Sequence, residues 1–222
     1  MKPWQIVMTF LVYCLASDPG ALAEAGAEER PLTVVALGTS LTHSGGWLKP
    51  LETQLSECLD RSVNVLNFGR DGATSDWGVA VLEDVVHAGP DVVLIEFSIN
   101  DAALTKGTSL RRSRENVKTI VLRLRDALPR LKIFLMTMNP AFGPRAWIRP
   151  QIAAYYDVYR TLAAELDVGY IDNLPDWNNL TELRARIPDG LHPVPEWAGR
   201  ILVPTIARAI ASTECVETRT KP

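Results

Sequence analysis

Apolar strand patterns alternate with amphipathic helix patterns from residue 32 almost to the end of the chain, which leaves few folds open. The near-continuous apolar run at 91–97 (Asp-Val-Val-Leu-Ile-Glu-Phe) is typical of a parallel sheet covered on both faces. Similar runs predict four more strands, at 32–37, 63–68, 132–136 and 168–171. Apolar residues at helical spacing predict helices at 47–59, 77–87, 110–128, 151–166 and 195–211. The pattern therefore predicts an α/β fold, a three-layer α/β/α sandwich with a five-stranded parallel sheet.

Length and charge limit the function classes. The 222 residues suffice for one domain, which the pattern places at 32–211, between a linker at 24–31 and a polar tail at 212–222. An apolar content of 47% argues against a disordered chain. The net charge of −3 provides no basic surface for a polyphosphate backbone, so nucleic acid is not an expected partner.

Residues 1–23 have the pattern of a cleaved signal peptide. Lys2 precedes an apolar stretch at 6–16, and Ala21-Leu-Ala23 supplies the small residues that a signal peptidase reads, so cleavage is expected before Glu24. The alternative is a membrane anchor, but 11 residues are too few to cross about 30 Å of hydrocarbon. We expect an exported protein, periplasmic or secreted, whose mature chain does not insert stably into membranes.

The long loops at 69–76, 98–109, 138–150 and 172–194 all follow strands, at the sheet edge where folds of this kind bind ligands. In the segment Gly38-Thr-Ser-Leu-Thr42, directly after the first strand, Ser40 lies in a tight turn that exposes its hydroxyl near backbone N–H groups. The alternative interpretation is that Ser40 only caps the following helix. Taken alone, this segment favours the cap.

Three further segments follow strands at the same edge. Gly72, within 67–74, permits a backbone turn that brings an N–H close to a ligand, and Asn100, within 98–101, is a neutral donor for a developing negative oxygen. In Asp189-Gly-Leu-His-Pro193 one turn is enough to hold the carboxylate against the imidazole of His192. Each segment alone is equally compatible with an ordinary turn, whereas their joint occurrence in this order points to nucleophilic catalysis.

With these four segments the chain resembles the SGNH hydrolases, the GDSL-type esterases and lipases, over about residues 32–211. The resemblance implies a flavodoxin-like SGNH hydrolase fold and an ester hydrolase. It further implies a Ser40–His192–Asp189 triad and an oxyanion hole formed by Ser40, Gly72 and Asn100. No cofactor or metal is expected, and the histidines show no ligand spacing such as His-x-x-x-His.

Two departures from the family pattern stand out. Thr39 occupies the place of the usual aspartate before the serine, and Ser98 replaces the usual glycine of the third segment. Because Thr39 is still able to form local hydrogen bonds, we expect altered activity rather than none. The alternative is a non-catalytic glycan-binding protein in which Thr39 marks lost activity.

The candidate substrate-binding residues lie in or beside the edge loops. Trp77, Trp147 and Trp177 offer aromatic faces for sugar rings, with packing under the loops as the alternative for each. Arg145 and Arg149 suit an anionic substrate or, equally, the solvated surface. We expect a monomer that removes acetyl or another short acyl group from a carbohydrate. A lysophospholipase or acyl-thioesterase of the same family is the alternative.

Removal of the signal peptide with Cys14 leaves two cysteines, Cys58 and Cys215. Disulfides persist in exported proteins, and the expected fold places both residues at the carboxyl ends of helices on one side of the sheet. A disulfide is therefore the candidate, and two free thiols are the alternative.

Overall fold

The structure is a computed structural model and describes residues 30–211. The sheet in this range has five parallel strands: β1 (Leu32–Gly38), β2 (Val63–Gly69), β3 (Val92–Glu96), β4 (Lys132–Met136) and β5 (Gly169–Ile171). Their spatial order, β2-β1-β3-β4-β5, is the flavodoxin-like one. The predicted α/β class and five-stranded parallel sheet are confirmed.

Helices connect the strands and cover both faces. They are α1 (Ser40–His43), α2 (Leu48–Leu59), α3 (Ser75–Ala80), α4 (Leu82–His87), α5 (Ser98–Asp101), α6 (Leu110–Ala127), α7 (Gly143–Trp147), α8 (Ile152–Leu166), α9 (Leu174–Asn178), α10 (Leu183–Arg186) and α11 (Pro195–Ala211), with a 3₁₀ turn at Leu104–Lys106. None of the helices in residues 30–211 combines the length and apolar character that a bilayer crossing requires.

Two apolar cores separate the three layers. On one face, α2 and α11 pack against the sheet through residues such as Leu55 and Ile206. On the other face, α4, α6 and α8 do so through residues such as Val121 and Leu162. Alternate residues of β1 enter the two cores, Val34 the first and Val35 the second, which is why this strand is apolar at successive positions.

The structure departs from the sequence prediction mainly in short elements. The helix predicted at 77–87 is two helices, α3 and α4, separated at Val81. Five of the helices, α1, α5, α7, α9 and α10, have only four or five residues and lie in segments predicted as turns or loops. One turn of helix is too short to show the apolar periodicity that reveals a longer one.

Several predicted features lie outside the described residues. These are the signal peptide, most of the linker and the polar tail, including Cys215. Cys58 is half-buried near the end of α2, and α2 packs beside α11, whose end precedes Cys215 by only a few residues. The disulfide therefore stays a prediction, with the helix placement it requires in place.

Candidate active site

A cleft of about 410 Å³ opens at the carboxyl ends of the strands. Loops that follow all five strands contribute to its lining, which consists of Ser40, Ser44, Asp71, Gly72, Asn100, Ala103, Thr105, Lys106, Arg145, Ile148, Arg149, Leu191 and His192. Ser40 follows β1 and Asn100 follows β3, the two strands that flank the point where the strand order reverses. The cleft lies where parallel α/β sheets bind ligands.

Ser40 is the first residue of α1, in a tight turn directly after β1. Thr39 is extended (φ −92°, ψ −161°) and caps the helix, since its Oγ1 accepts a hydrogen bond from Leu41 N at 3.2 Å. Gly38 is required at the preceding position, because a Cβ there would lie 2.2 Å from Glu96 Oε1. At the start of a helix the backbone N–H of Ser40 has no partner within the helix, so it is available to a ligand.

A buried carboxyl group supports this turn from the neighbouring strand. Glu96, at the end of β3, is only 1% exposed. Its Oε1 accepts hydrogen bonds from Thr39 N at 2.6 Å, Thr39 Oγ1 at 2.9 Å and Thr42 Oγ1 at 2.7 Å. Burial raises the pKa of Glu96 to about 7, although these hydrogen bonds from the two threonines work in the opposite direction. The threonine that departs from the family pattern thus bonds a carboxyl group across the sheet.

The hydroxyl, imidazole and carboxylate predicted as a triad form one hydrogen-bonded chain. Ser40 Oγ lies 2.9 Å from His192 Nε2, and His192 Nδ1 lies 2.7 Å from Asp189 Oδ2. Ser40 and His192 are 152 positions apart in sequence, so only the fold brings them together. This geometry allows a proton to pass from the hydroxyl to an imidazole that the carboxylate orients.

The segment 189–193 is itself a compact turn around the carboxylate. Asp189 Oδ1 accepts hydrogen bonds from Leu191 N at 2.9 Å and His192 N at 2.6 Å, and Gly190 supplies the positive φ of +79°. Partial burial raises the pKa of Asp189, but the hydrogen bonds from His192 and Leu191 outweigh it and lower the value to about 2. Asp189 is therefore ionised at neutral pH, as a partner of a protonated imidazole must be.

The two other candidate oxyanion donors line the same cleft. Gly72 adopts φ +69°, a conformation that favours glycine. Asn100 is 4% exposed, and its Nδ2 donates one hydrogen bond to Ala73 O at 2.9 Å, which leaves its second N–H for a ligand. The structure thus brings Ser40, Gly72 and Asn100 to one cavity, as the sequence predicted.

Arg149 is neither a surface residue nor freely available to a substrate, which corrects both sequence interpretations. The side chain is 4% exposed, and its Nε donates to Ile99 O at 2.6 Å. One terminal nitrogen donates to Arg145 O at 2.9 Å and the other to Asn100 Oδ1 at 3.3 Å. Burial lowers the pKa of Arg149. By accepting from Arg149, the Asn100 oxygen turns away from the cleft and the amide nitrogen is directed into it.

The tryptophans differ in position, and two of the three do not fit a substrate role. Trp177 is fully buried in the core beneath α11, so the expectation that it binds substrate is wrong. Trp77 packs edge-on against Phe97, with ring centroids 6.3 Å apart, and does not line the cleft. Trp147 is 76% exposed at the end of α7, and the neighbouring residues Arg145 and Ile148 line the cleft.

Over residues 30–211, no group of three or more His, Cys, Asp or Glu side chains is arranged to hold a metal ion.

Comparison with known proteins adds the family. Residues 36–196 match the GDSL-like lipase/acylhydrolase family. The chain belongs to this family. It is therefore an esterase or acylhydrolase of the GDSL group, and the sequence resemblance to SGNH hydrolases is confirmed. No curated protein sequence matches the chain significantly.

Solved structures share the fold. A lipase/acylhydrolase from Enterococcus faecalis is 27% identical, with a TM-score of 0.66 over 79% of this chain and 95% of its own. An acetylxylan esterase from Geobacillus stearothermophilus is 22% identical, with a TM-score of 0.70 over 84% and 97%. The protein TesA is 23% identical, with a TM-score of 0.63 over 77% and 93%. The last two similarities show the fold alone.

Sequence reasoning missed two residues that the structure places beside the candidate site, Glu96 and Arg149. Glu96 interrupts the apolar run of β3, and a lone carboxyl group in a buried strand needs polar partners. That signal was available from the sequence. Nothing in the sequence around Arg149 distinguishes it from Arg145, which is exposed, because burial depends on how the loop folds over Asn100.

Proposed function

We propose that this family member is an exported serine esterase that removes acetyl or another short acyl group from a carbohydrate through an acyl-enzyme. The contacts that join Ser40, His192 and Asp189 support this proposal most strongly, because both lie within the range that proton transfer requires. The match to the GDSL-like family supports the same reaction class.

In the proposed reaction Ser40 Oγ attacks the ester carbonyl while His192 Nε2 takes the hydroxyl proton. The carbonyl oxygen becomes an oxyanion, which accepts hydrogen bonds from the N–H groups of Ser40 and Gly72 and from Asn100 Nδ2. Collapse breaks the bond to the alcohol, which leaves with the proton from His192. Water then attacks the acyl-enzyme by the same route, releasing the acid and the free serine. Asp189 orients the imidazole throughout.

The lining of the cleft favours a short acyl group. Its apolar side chains are few (Ala103, Ile148 and Leu191), and polar or charged groups line most of the rest. A long acyl chain gains about 0.8 kcal/mol for each methylene group that it buries against apolar surface, and this cleft offers little such surface. The exposed ring of Trp147 beside the cleft suits stacking against a sugar.

The test is acetate release from acetylated xylo-oligosaccharides, together with p-nitrophenyl esters from acetyl to dodecanoyl. We expect acetyl to be preferred and Ser40→Ala to lower kcat at least about 10³-fold. Ser62→Ala is the matched control, because Ser62 is exposed next to β2 at the opposite end of the strand from the cleft. A preference for octanoyl or longer esters would instead support the lysophospholipase or thioesterase alternative. Glycan binding without hydrolysis would support the binding-protein alternative.

Export and the disulfide belong to the same proposal. Protein recovered from the export compartment is expected to begin at Glu24, which N-terminal sequencing checks. Without reductant, the mature chain is expected to take up no alkylating reagent at Cys58 or Cys215. Uptake of two equivalents by the unreduced, denatured protein would reject the disulfide.

A further inference from the structure

The charge of the cleft differs in sign from that of the whole chain. Three cationic side chains line it, from Lys106, Arg145 and Arg149, whereas Asp71 is the one acidic residue among the described residues of the lining. The chain as a whole carries a net charge of −3. A concentration of positive charge in a cleft of an acidic protein attracts anions and repels cations.

Lys106 is held beside the candidate oxyanion hole. Its Nζ lies 2.9 Å from the point that a Cβ at Gly72 would occupy. The 3₁₀ turn that carries Lys106 is tied to the loop after β4, because Leu104 N donates to Ile148 O at 2.8 Å. Within residues 30–211 the Lys106 ammonium forms no ion pair or hydrogen bond, so its donors are available to a ligand.

Arg145 contributes a second available cation on the other side of the same tie. Its guanidinium approaches Asp189 Oδ2 at 3.5 Å, the upper limit for a hydrogen bond, and that oxygen already bonds His192 at 2.7 Å. Most of the five N–H donors of Arg145 therefore remain for a ligand. Arg149 adds a buried positive charge between them, but its contacts to Ile99, Arg145 and Asn100 hold it in place.

We propose that the cleft recognises an ester whose alcohol part carries a permanent negative charge, a carboxylate or a phosphate, which Lys106 and Arg145 bind. This inference rests on the proposed function and refines its substrate. An acetyl group has no charge of its own, so the anion belongs to the alcohol, that is, to an acidic sugar. Trp147, exposed beside Arg145, is placed to contact the ring of that sugar.

The test compares three acetylated sugars that carry the acetyl group at the same hydroxyl: glucose, glucuronic acid and glucose 6-phosphate. At low salt, kcat/KM for at least one of the two acidic sugars is expected to exceed that for glucose by about three- to tenfold, and the ratio should shrink in 0.5 M salt. The arm with the larger ratio distinguishes carboxylate from phosphate recognition.

Variants then assign the effect to the cleft. Lys106→Met is expected to lower the acidic-to-neutral ratio about threefold or more, and Lys106→Glu to lower it further. Lys132→Met is the matched control, because Lys132 is an exposed lysine at the start of β4, at the edge of the sheet opposite the cleft. Its ratio is expected to equal that of the unaltered protein.

Two results would overturn the proposal while leaving the esterase assignment intact: equal kcat/KM for all three sugars, or an equal ratio in Lys106→Met and Lys132→Met. Calorimetric binding of the same sugars to Ser40→Ala tests the charge preference without hydrolysis. If no ester is hydrolysed but the acidic sugars bind more tightly, the esterase proposal fails and the charge recognition stands. Binding to phosphatidylglycerol vesicles with no preference among the sugars would assign the cations to a membrane surface and overturn the proposal.

Discussion

Replacing Glu96 by glutamine is expected to remove much of the pH dependence of stability between pH 4.5 and 7. The group is 1% exposed, and burial raises its pKa from 4.5 to about 7 in the folded protein. Over this pH range the folded protein keeps a proton that the unfolded chain has released. The free energy of unfolding therefore falls as pH rises, and the stability present below pH 4.5 is lost as pH rises through about 7.

The magnitude follows from the pKa difference. At 1.36 kcal/mol for each pH unit, a shift from 4.5 to about 7 corresponds to about 3 kcal/mol of stability lost between the two values. Glutamine preserves the arrangement, because its Oε1 accepts from the same donors (Thr39 N and Thr42 Oγ1) and its Nε2 donates to Thr39 Oγ1, 3.1 Å from the atom it replaces. Having no titratable proton, it carries no slope of its own.

Urea unfolding at pH 5, 6, 7 and 8 measures the effect. The difference in unfolding free energy between the unaltered protein and Glu96→Gln is expected to change by about 3 kcal/mol across this range. Glu115→Gln is the control, because Glu115 is 57% exposed in a surface ion pair with Arg111 and its replacement should leave the slope unchanged. A Glu96→Gln variant with the slope of the unaltered protein would refute the reasoning.

Three further predictions concern single side chains. Asn100→Ala is expected to lower kcat for p-nitrophenyl acetate about 10²–10³-fold, since one oxyanion donor is lost; a change in KM alone would contradict it. Trp177→Ala should lower the unfolding free energy by about 3–5 kcal/mol, whereas Trp147→Ala should change it by less than about 0.5 kcal/mol; urea unfolding separates the two, and equal losses would contradict the burial difference. Asp189→Asn should lower kcat on the order of 10³–10⁴-fold at pH 7, where a carboxyl group with a pKa of about 2 is ionised; a loss below tenfold in steady-state kinetics would contradict an orienting role.

The strands and the long helices were predictable because their evidence is local. β4 has the predicted bounds, and so does α11, since each consists of one uninterrupted pattern. The segments with Ser40 and Asp189 were recognisable for the same reason, because tight turns need particular residue types at neighbouring positions. By contrast, the break between α3 and α4 was missed, because the apolar spacing continues across it.

Burial of single side chains was not predictable in the same way. Trp177 and Trp147 both lie in edge loops, yet the first is fully buried and the second 76% exposed. Arg149 bonds Asn100 across 49 positions, and Glu96 bonds Thr39 across 57. In each case the partner lies on another strand or loop, and neither segment alone indicates the contact.

The sequence by itself therefore determined the layer architecture, the sheet edge that carries the candidate site and the residue types available there. Only the tertiary structure decided which groups touch: the hydroxyl and imidazole 152 positions apart, the carboxyl group beneath the nucleophile turn and the guanidinium that orients the amide. The physical reason is that periodicity and turn propensity act over a few residues, whereas hydrogen bonds in a packed sheet depend on distances that the whole chain sets.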